Sequence, residues 1–365
     1  MTYQYDHAVF IGRFQGFHAG HNIVIQKAFE VAQNVIIVLG SHNCARTLDN
    51  PFTSKEREIV IRSVLTPEQL ERVSFVAVED HGYSNNSWLA EAQAAIETAI
   101  FQRFTPNPVK VALIGHEKDG TSYYLKMFPE FDNIDVPNES LLSATDLREM
   151  MYEGDTDWMH SNYIINEAHM NALIDLYHTD WFEALIDEWE WIEDYKEEWG
   201  PRKPVKKMSG ITYEIGTVKA LTTDAAVTVG GYILLIQRGG FPGKGQWALP
   251  GGFLNDWEPM IDGMIRELRE ETKLKIPEPV LRGSIKRELI ADNPYRDPRG
   301  RIVTRAFHID IQNYGGGGDD ISLPVVKGSD DAKVAKWFKL GALPKMRTQM
   351  FADHYDIIEY LIGGF

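Results

Sequence analysis

GRFQGFHAGH, from Gly12 to His21, is the stretch on which the reading of this chain turns. It follows an apolar run, His7 to Gly12 (HAVFIG), and precedes an amphipathic pattern from Asn22 to Gln33. A strand that turns through glycines at 12, 16 and 20 into a helix brings backbone close to a ligand. It also aims the helix's free N–H groups at that ligand, which suits an anion. His18 and His21, three apart, share one face of a helical turn, where two imidazoles can donate to phosphate oxygens. The stretch contains neither GxxxxGK[ST] nor GxGxxG, so it is neither a Walker loop nor a dinucleotide fingerprint.

Outward from this point, the apolar runs Val35 to Gly40, Val73 to Asp80 and Val109 to Gly115 alternate with helical patterns over Ser54 to Val64 and Trp88 to Phe104. That alternation predicts an α/β domain: a Rossmann-like parallel sheet covered on both faces. Asn162 to Trp199 is rich in aromatics and acids. Phe182, Leu185, Trp189, Ile192 and Trp199 recur there at helical spacing, as in an acidic helix with one solvated face, packed on a neighbouring domain. GPRKPVKKMSG (Gly200 to Gly210) breaks the pattern and marks a domain junction.

The remainder reads differently. Ala225 to Arg238 holds two apolar runs around Gly230-Gly231, the signal of an antiparallel hairpin. A helical pattern spans Glu258 to Thr272, Arg301 to Ile311 alternates like a strand, and Gly315 to Asp320 (GGGGDD) reads as a flexible loop. No internal repeat relates the halves.

The 365 residues suggest two domains, and 44% hydrophobic with 25% charged residues is ordinary globular composition. With 37 basic against 53 acidic residues, a net charge of −16 disfavours a broad footprint for nucleic acid or an anionic membrane, so an anionic ligand needs local charges and dipoles. Arg202 to Lys207 is a short basic exception. The single cysteine, Cys44, forms no intrachain disulfide, and no basic-flanked apolar leader or bilayer-length apolar run is present. The expectation is a soluble, cytoplasmic protein.

The Gly12 to His21 stretch resembles the HxGH nucleotidyltransferase superfamily, and its GRFQxxHxGH form is similar to nicotinamide mononucleotide (NMN) adenylyltransferases of the archaeal-type branch. LDNPFTSKER (Leu48 to Arg57) is similar to that branch's NPFTxxER element, and LSATDLR (Leu142 to Arg148) to its ISSTxxR motif. The resemblance implies transfer of AMP from ATP to NMN, giving NAD and pyrophosphate. It places Gly12, Arg13, Phe14, His18, His21, Ser143, Thr145 and Arg148 at ATP. Within that set His18 and His21 hold the phosphates, Arg148 and Arg13 the leaving β/γ-phosphates, and Mg²⁺ screens the remaining charge. It places Asn50, Asp80 and Trp88 at NMN, with Trp88 stacked on the nicotinamide ring. Gly16 stands where the family usually has proline, which is expected to change loop stiffness rather than chemistry.

Trp247 to Leu274 contains the second constellation. From Gly252, five residues lead to Glu258 and seven more to Arg266-Glu267, followed by Glu270 and Glu271. On a helix Glu267, Glu270 and Glu271 converge on one side, and hard oxygen ligands so placed suit Mg²⁺ or Mn²⁺ bridging a diphosphate. RELREE alone would be a solvated helix; the LPGG turn and the Glu258 and Arg266 spacing select the metal reading. That register resembles the Nudix box, GX5EX7REUXEEXGU, and implies an α/β/α-sandwich Nudix domain in which Glu258 and Arg266 pair structurally. Lys273 replaces the box's terminal glycine and would adopt the left-handed conformation at a cost of about 1 kcal/mol or more.

Tyr295 to Phe307 (YRDPRGRIVTRAF) looks like the RDPRG segment of Nudix ADP-ribose pyrophosphatases and of related NAD-sensing regulators. This suggests Arg296 and Arg299 at the ribose or diphosphate of ADP-ribose, and Asp292 or Asp297 near the attacking water; the general base stays unassigned. In this order the segments resemble the bacterial bifunctional NMN adenylyltransferase/Nudix hydrolase family. The expected division is 1–180 for the transferase, 181–204 for an acidic helical connector and 205–365 for a Nudix domain hydrolysing ADP-ribose to AMP and ribose 5-phosphate. Two alternatives stay open: a Nudix domain that senses ADP-ribose or NAD without hydrolysis, and a first domain using another acceptor such as nicotinate mononucleotide. A homo-oligomer is compatible with the sequence.

Overall fold

The computed structural model describes residues 3–103, 109–116, 127–137, 142–154, 156–199, 205–208, 211–214, 220–311, 323–329 and 331–363. Backbone proximity divides the chain into two units, Met1–Asp187 and Glu188–Phe365.

The first unit runs β1 (Tyr5–Gly12), α1 (Ala19–Val31), β2 (Ala32–His42), α2 (Ser54–Arg62), α3 (Pro67–Arg72), β3 (Val73–Glu79), α4 (Asn85–Gln102), β4 (Val111–Gly115), β5 (Asp132–Asp135), α5 (Ala144–Tyr152) and α6 (Glu167–Tyr177). Its five strands are all parallel, in the order β3-β2-β1-β4-β5, the Rossmann-like sheet expected from the alternation. β1 and β2 are apolar almost throughout because a sheet covered on both faces buries both sides of each strand. Val9, Ile11, Ile36, Val38 and Leu113 pack with Ala92 and Ile96 of α4 to form the core on one face. Strand order reverses at β1, so the crevice beyond its carboxyl end is the natural ligand site of such a sheet. Gly12 ends β1 there and feeds the GRFQ loop. β5 (DNID) is polar and carries no strand periodicity; its pairing with β4 makes it a strand.

α7 (Asp180–Trp199) follows, with Phe182, Leu185 and Ile192 buried, and the division between the units falls within it. Of the proposed junction at 200–210, only Val205–Met208 is described, as β6 paired antiparallel with β7 (Ile211–Glu214); the GGGGDD loop lies outside the described residues.

The second unit continues with β8 (Ala220–Val229), β9 (Tyr232–Arg238), β10 (Trp247–Ala248), β11 (Gly251–Phe253), α8 (Met260–Thr272), α9 (Glu278–Gly283), β12 (Ile285–Ala291), β13 (Ile302–Asp310), β14 (Ala332–Lys339) and α10 (His354–Ile362). β8 and β9 form the expected hairpin across Gly230 (φ 51°) and Gly231 (φ 80°), both in the left-handed region that a tight hairpin turn requires. The mixed sheet has the order β10-β9-β8-β13-β12, with β11 on β8 and β14 on β9; only β8 and β13 run parallel. α8 is strongly amphipathic. Met264, Ile265 and Leu268 pack with Ala225, Val227, Leu234 and Phe307, which leaves the glutamates for the rim of the LPGG turn. Among the described residues no helix is long and apolar enough to cross a membrane.

Candidate functional site

In the first unit, His18 is the N-cap of α1 (φ −146°), and its Nδ1 accepts from the Gly20 N–H at 3.0 Å. The expectation that both histidines project from a helical turn is corrected: one caps the helix and the other follows three residues on. The pairing survives, with ring centroids 4.0 Å apart. Because Nδ1 accepts, a neutral His18 ring carries its proton on Nε2. His21 stacks on Phe17 (5.7 Å, 13°) and meets the edge of Phe14. Phe14, 2% exposed and packed on Phe10, is a core residue that contributes its backbone, not its ring, to the loop.

Gly16 has φ +87°. Proline is locked near −65°, so the family's usual residue does not fit this loop path. The left-handed φ at Gly16 gives glycine a conformational reason here beyond loop stiffness.

Three long-range clamps unite the motif loops. The Gln15 carboxamide donates to Phe52 O and accepts from Phe52 N, both at 2.9 Å. Arg57, 1% exposed, donates to the carbonyls of Arg13, Gly40 (2.6 Å) and Ser41 (3.1 Å), and burial draws its pKa down to about 10, so it remains charged at neutral pH. Arg148, 5% exposed, donates to Leu48 O (3.1 Å) and Gln15 O (2.8 Å), with longer 3.4 Å contacts from Nη2 to Asp49 and Thr145. Arg148, expected at the β/γ-phosphates, takes acceptors from backbone carbonyls here, as a buried guanidinium must. Only Nη2 is loosely held.

Thr53 of NPFT caps α2 in a reciprocal box with Glu56, which fixes where that loop becomes helix. Ser143 caps α5 through Thr145 N–H, so its hydroxyl serves the helix. Arg13 is exposed beside Gly12. Asp80 accepts from Ser41 N–H at 3.3 Å; Trp88 is half-buried in the first turn of α4. Asn50 Oδ1 is buried and has no hydrogen-bond partner among the described residues.

His169 of α6 was not singled out by the sequence. It is fully buried: Nδ1 accepts from Ile165 N–H (3.2 Å) and Nε2 donates to Phe17 O (3.0 Å). Burial pulls its pKa down to about 4, so it stays neutral and pins the residue before His18.

In the second unit, Arg266 Nη2 and Nε bind both oxygens of Glu258 (2.5 and 3.0 Å), the structural pair that the resemblance implies. Arg266 holds the Glu258 carboxyl down to about 2. Its Nη1 reaches Glu267 (2.7 Å) and Glu270 (3.0 Å). Glu271, 2% exposed, accepts from Gly251 N–H at 2.8 Å; burial, reinforced by Asp331, pushes its pKa up to about 9. Burial also raises Glu267. A Cβ on Gly252 would fall 2.6 Å from the Glu267 carboxyl carbon, so glycine is what admits this carboxylate under the turn. Among the described residues no three His, Cys, Asp or Glu side chains form a ready metal cluster. The expected convergence is corrected to this extent: Glu267 and Glu270 share the Arg266 guanidinium, while Glu271 faces Gly251. Mutual repulsion is relieved by a cation of the chain itself.

Arg296 is engaged bidentately by Asp353 (2.9 and 2.8 Å), and Arg299 by Asp297 (2.9 and 2.7 Å). Both are expected at substrate, and each guanidinium also holds a carboxylate of the chain. Burial would raise Asp297, yet Arg299 holds its pKa below the usual value. Asp292 is exposed. His354, unforeseen from the sequence, is buried and accepts from Leu249 N–H at 3.0 Å, bracing the LPGG turn. Lys273 adopts φ 53°, ψ 25°, the left-handed cap foreseen for it.

The cytidylyltransferase-like family model matches residues 9–150, and the NUDIX domain model residues 218–361. The chain is 39% identical to a nicotinamide/nicotinic acid mononucleotide adenylyltransferase of Acinetobacter baylyi, over 42% of this chain and 78% of that protein. It is 34% identical to an ADP-ribose pyrophosphatase of Methanocaldococcus jannaschii, over 43% of this chain and 82% of the relative. A solved bifunctional NMN adenylyltransferase/ADP-ribose pyrophosphatase from Francisella tularensis, complexed with AMP and a manganese ion, superposes with a TM-score of 0.84 at 32% identity, covering 98% of each chain. Together with the two sites, this places the chain in the family of bifunctional NMN adenylyltransferase/Nudix ADP-ribose pyrophosphatases.

Proposed function

We propose that the first unit transfers the adenylyl group of ATP to NMN, giving NAD and pyrophosphate, and that the second hydrolyses ADP-ribose to AMP and ribose 5-phosphate. The observation that carries the first half is the joining of three motif loops by Gln15, Arg57 and Arg148 around the His18–His21 pair. An oxygen of the NMN phosphate attacks the α-phosphorus of ATP and the bond to pyrophosphate breaks. Alignment and charge neutralisation suffice, with no covalent nucleophile. His18 Nε2, His21, Arg13, the Gly12 loop backbone and the α5 N-terminus at Ser143 and Thr145 supply donors to the triphosphate, and Arg148 Nη2 turns to the leaving group. Asn50, Asp80 and Trp88 receive NMN, the Asn50 Oδ1, without a hydrogen-bond partner among the described residues, being suited to a donor on that ligand.

For the second unit, Glu267, Glu270 and Glu271 offer the hard oxygen set that Mg²⁺ or Mn²⁺ prefers. Glu258 keeps Arg266 through Nε and Nη2 while the Nη1 contacts to Glu267 and Glu270 are exchangeable. A divalent cation bound there neutralises the diphosphate and lowers the pKa of the attacking water. Mg²⁺ is the proposed physiological ion at both sites. The proposed division remains 1–180, 181–204 and 205–365, in a cytoplasmic protein whose partners are ATP, NMN, NAD and ADP-ribose.

The test is direct: the full chain is mixed with ATP, Mg²⁺ and either NMN or nicotinate mononucleotide, and separately with ADP-ribose and Mg²⁺ or Mn²⁺. NAD from the NMN reaction and AMP from ADP-ribose are expected. Absence of dinucleotide, or ADP-ribose bound but uncleaved, contradicts the corresponding half.

A further inference from the structure

The two residues that open α10 each reach a different loop of the second unit. Met350 forms a parallel bridge with Trp247 of β10, and Phe351 N–H donates to Trp247 O at 2.8 Å. A parallel ladder continued by one step would give the next donor, Leu249 N–H, to Phe351 O. That oxygen is taken by His354 N–H (3.1 Å), and the chain leaves the ladder at Ala352, whose φ of 46° is left-handed. Leu249 N–H goes to His354 Nδ1 at 3.0 Å, so a buried imidazole replaces the missing backbone acceptor.

Leu249 begins the LPGG turn. Pro250 has no N–H, and Gly251 N–H donates to Glu271 at 2.8 Å. Gly252 lies so close to Glu267 that a Cβ there would fall 2.6 Å from its carboxyl carbon. The turn thus meets two of the three glutamates offered to the cation, and its first donor depends on a side chain 105 positions away. Asp353, next to His354, has another client. It is the N-cap residue of α10 yet makes no side-chain cap bond; its carboxylate holds Arg296 of the RDPRG segment bidentately, at 2.8 and 2.9 Å. Adjacent residues therefore fix two loops, one beside the glutamates and the other expected at ADP-ribose.

We propose that His354 and Asp353 are positioning residues for ADP-ribose hydrolysis with separable effects: His354, through the LPGG turn, sets the cation-holding glutamates, and Asp353 sets Arg296 for the substrate. This rests on the reading of the second unit as an ADP-ribose hydrolase. The full chain and its His354→Leu, His354→Asn and Asp353→Asn variants are titrated calorimetrically with Mn²⁺ alone and with ADP-ribose in EDTA. Each is then assayed for hydrolysis in Mg²⁺, with Tm recorded. The first unit is identical in all of them, so differences report on the second. His354→Leu should weaken Mn²⁺ binding on the order of tenfold to a hundredfold and lower kcat, with the ADP-ribose Kd in EDTA within twofold of wild type. His354→Asn, whose Oδ1 can stand where Nδ1 does, should recover most of both. Asp353→Asn should do the reverse, raising the ADP-ribose Kd and KM about tenfold while Mn²⁺ binding stays within twofold of wild type. A lowered Tm with both ligands bound as in wild type, or variants that all lose Mn²⁺ and ADP-ribose in the same proportion, overturns the inference. If His354→Leu does not fold, His354→Gln takes its place, since a glutamine carries its amide beyond the Nδ1 position, and the same criteria apply. Wild-type protein that neither binds Mn²⁺ nor cleaves ADP-ribose overturns the functional reading; wild type that does both, with the variants failing as above, overturns this inference alone.

Discussion

His169→Gln should make the first unit less sensitive to acid. The folded imidazole titrates near 4 because it is buried, whereas in the unfolded chain it titrates at its usual 6.5. Between those values the unfolded chain binds a proton that the folded chain refuses. The contribution is therefore intact above pH 6.5 and is lost as pH falls towards 4. At 1.36 kcal/mol per pH unit the full interval amounts to about 3 kcal/mol, of which about 2 kcal/mol is gone by pH 5. Protonation also places a hydrogen on Nδ1, which now accepts from Ile165 N–H, so the clamp on Phe17 loosens with it. Glutamine does not titrate, and its amide can still donate to Phe17 O. Urea unfolding of the full chain at pH 7.5 and pH 5 measures the difference. His7, His308 and His354, also depressed by burial, are present in both proteins and cancel. Wild type should lose about 2 kcal/mol more than the variant over this interval; equal losses would refute the assignment of a buried neutral imidazole.

Three further outcomes are expected. Gly16→Pro cannot adopt φ +87° and should cut adenylyl transfer at least about tenfold while leaving ADP-ribose hydrolysis intact, as the two assays run on one preparation will show. Lys273→Gly relieves a left-handed lysine at the end of α8 and should stabilise the second unit by about 1 kcal/mol, read as a higher Tm; an unchanged or lower Tm would count against the cap geometry. Glu271, pushed up to about 9, must release a proton to take a cation, so the rise in Tm produced by Mg²⁺ should grow between pH 6 and pH 9; a rise independent of pH would remove Glu271 from the cation set.

The parts legible in the sequence are those where chemistry demands residue types at short, fixed spacing. Gly12 to His21, NPFT, Ser143 to Arg148 and the Gly252 to Lys273 register are all local, and the left-handed cap at Lys273 followed from one substitution within such a register. The parallel sheet was legible because strands buried on both faces are apolar throughout. What escaped depends on contacts far apart in the chain. Arg148 reaches Gln15 across 133 positions and Arg296 reaches Asp353 across 57, contacts that no local spacing announces. His169 and His354 carry no motif; burial and hydrogen bonds to loop backbone give them their roles. β5 escaped because DNID is polar and becomes a strand only beside β4.

The central claim, two independent phosphate-ester sites in one polypeptide, is tested most directly by assaying both reactions in the full chain, in His21→Ala and in Glu270→Gln. Losing one such donor should cost on the order of a hundredfold to a thousandfold in the reaction of its own unit. The account predicts that His21→Ala loses NAD formation alone and Glu270→Gln loses AMP release from ADP-ribose alone. Wild-type rates for both reactions in either variant, or a variant that abolishes both while remaining folded, would contradict it.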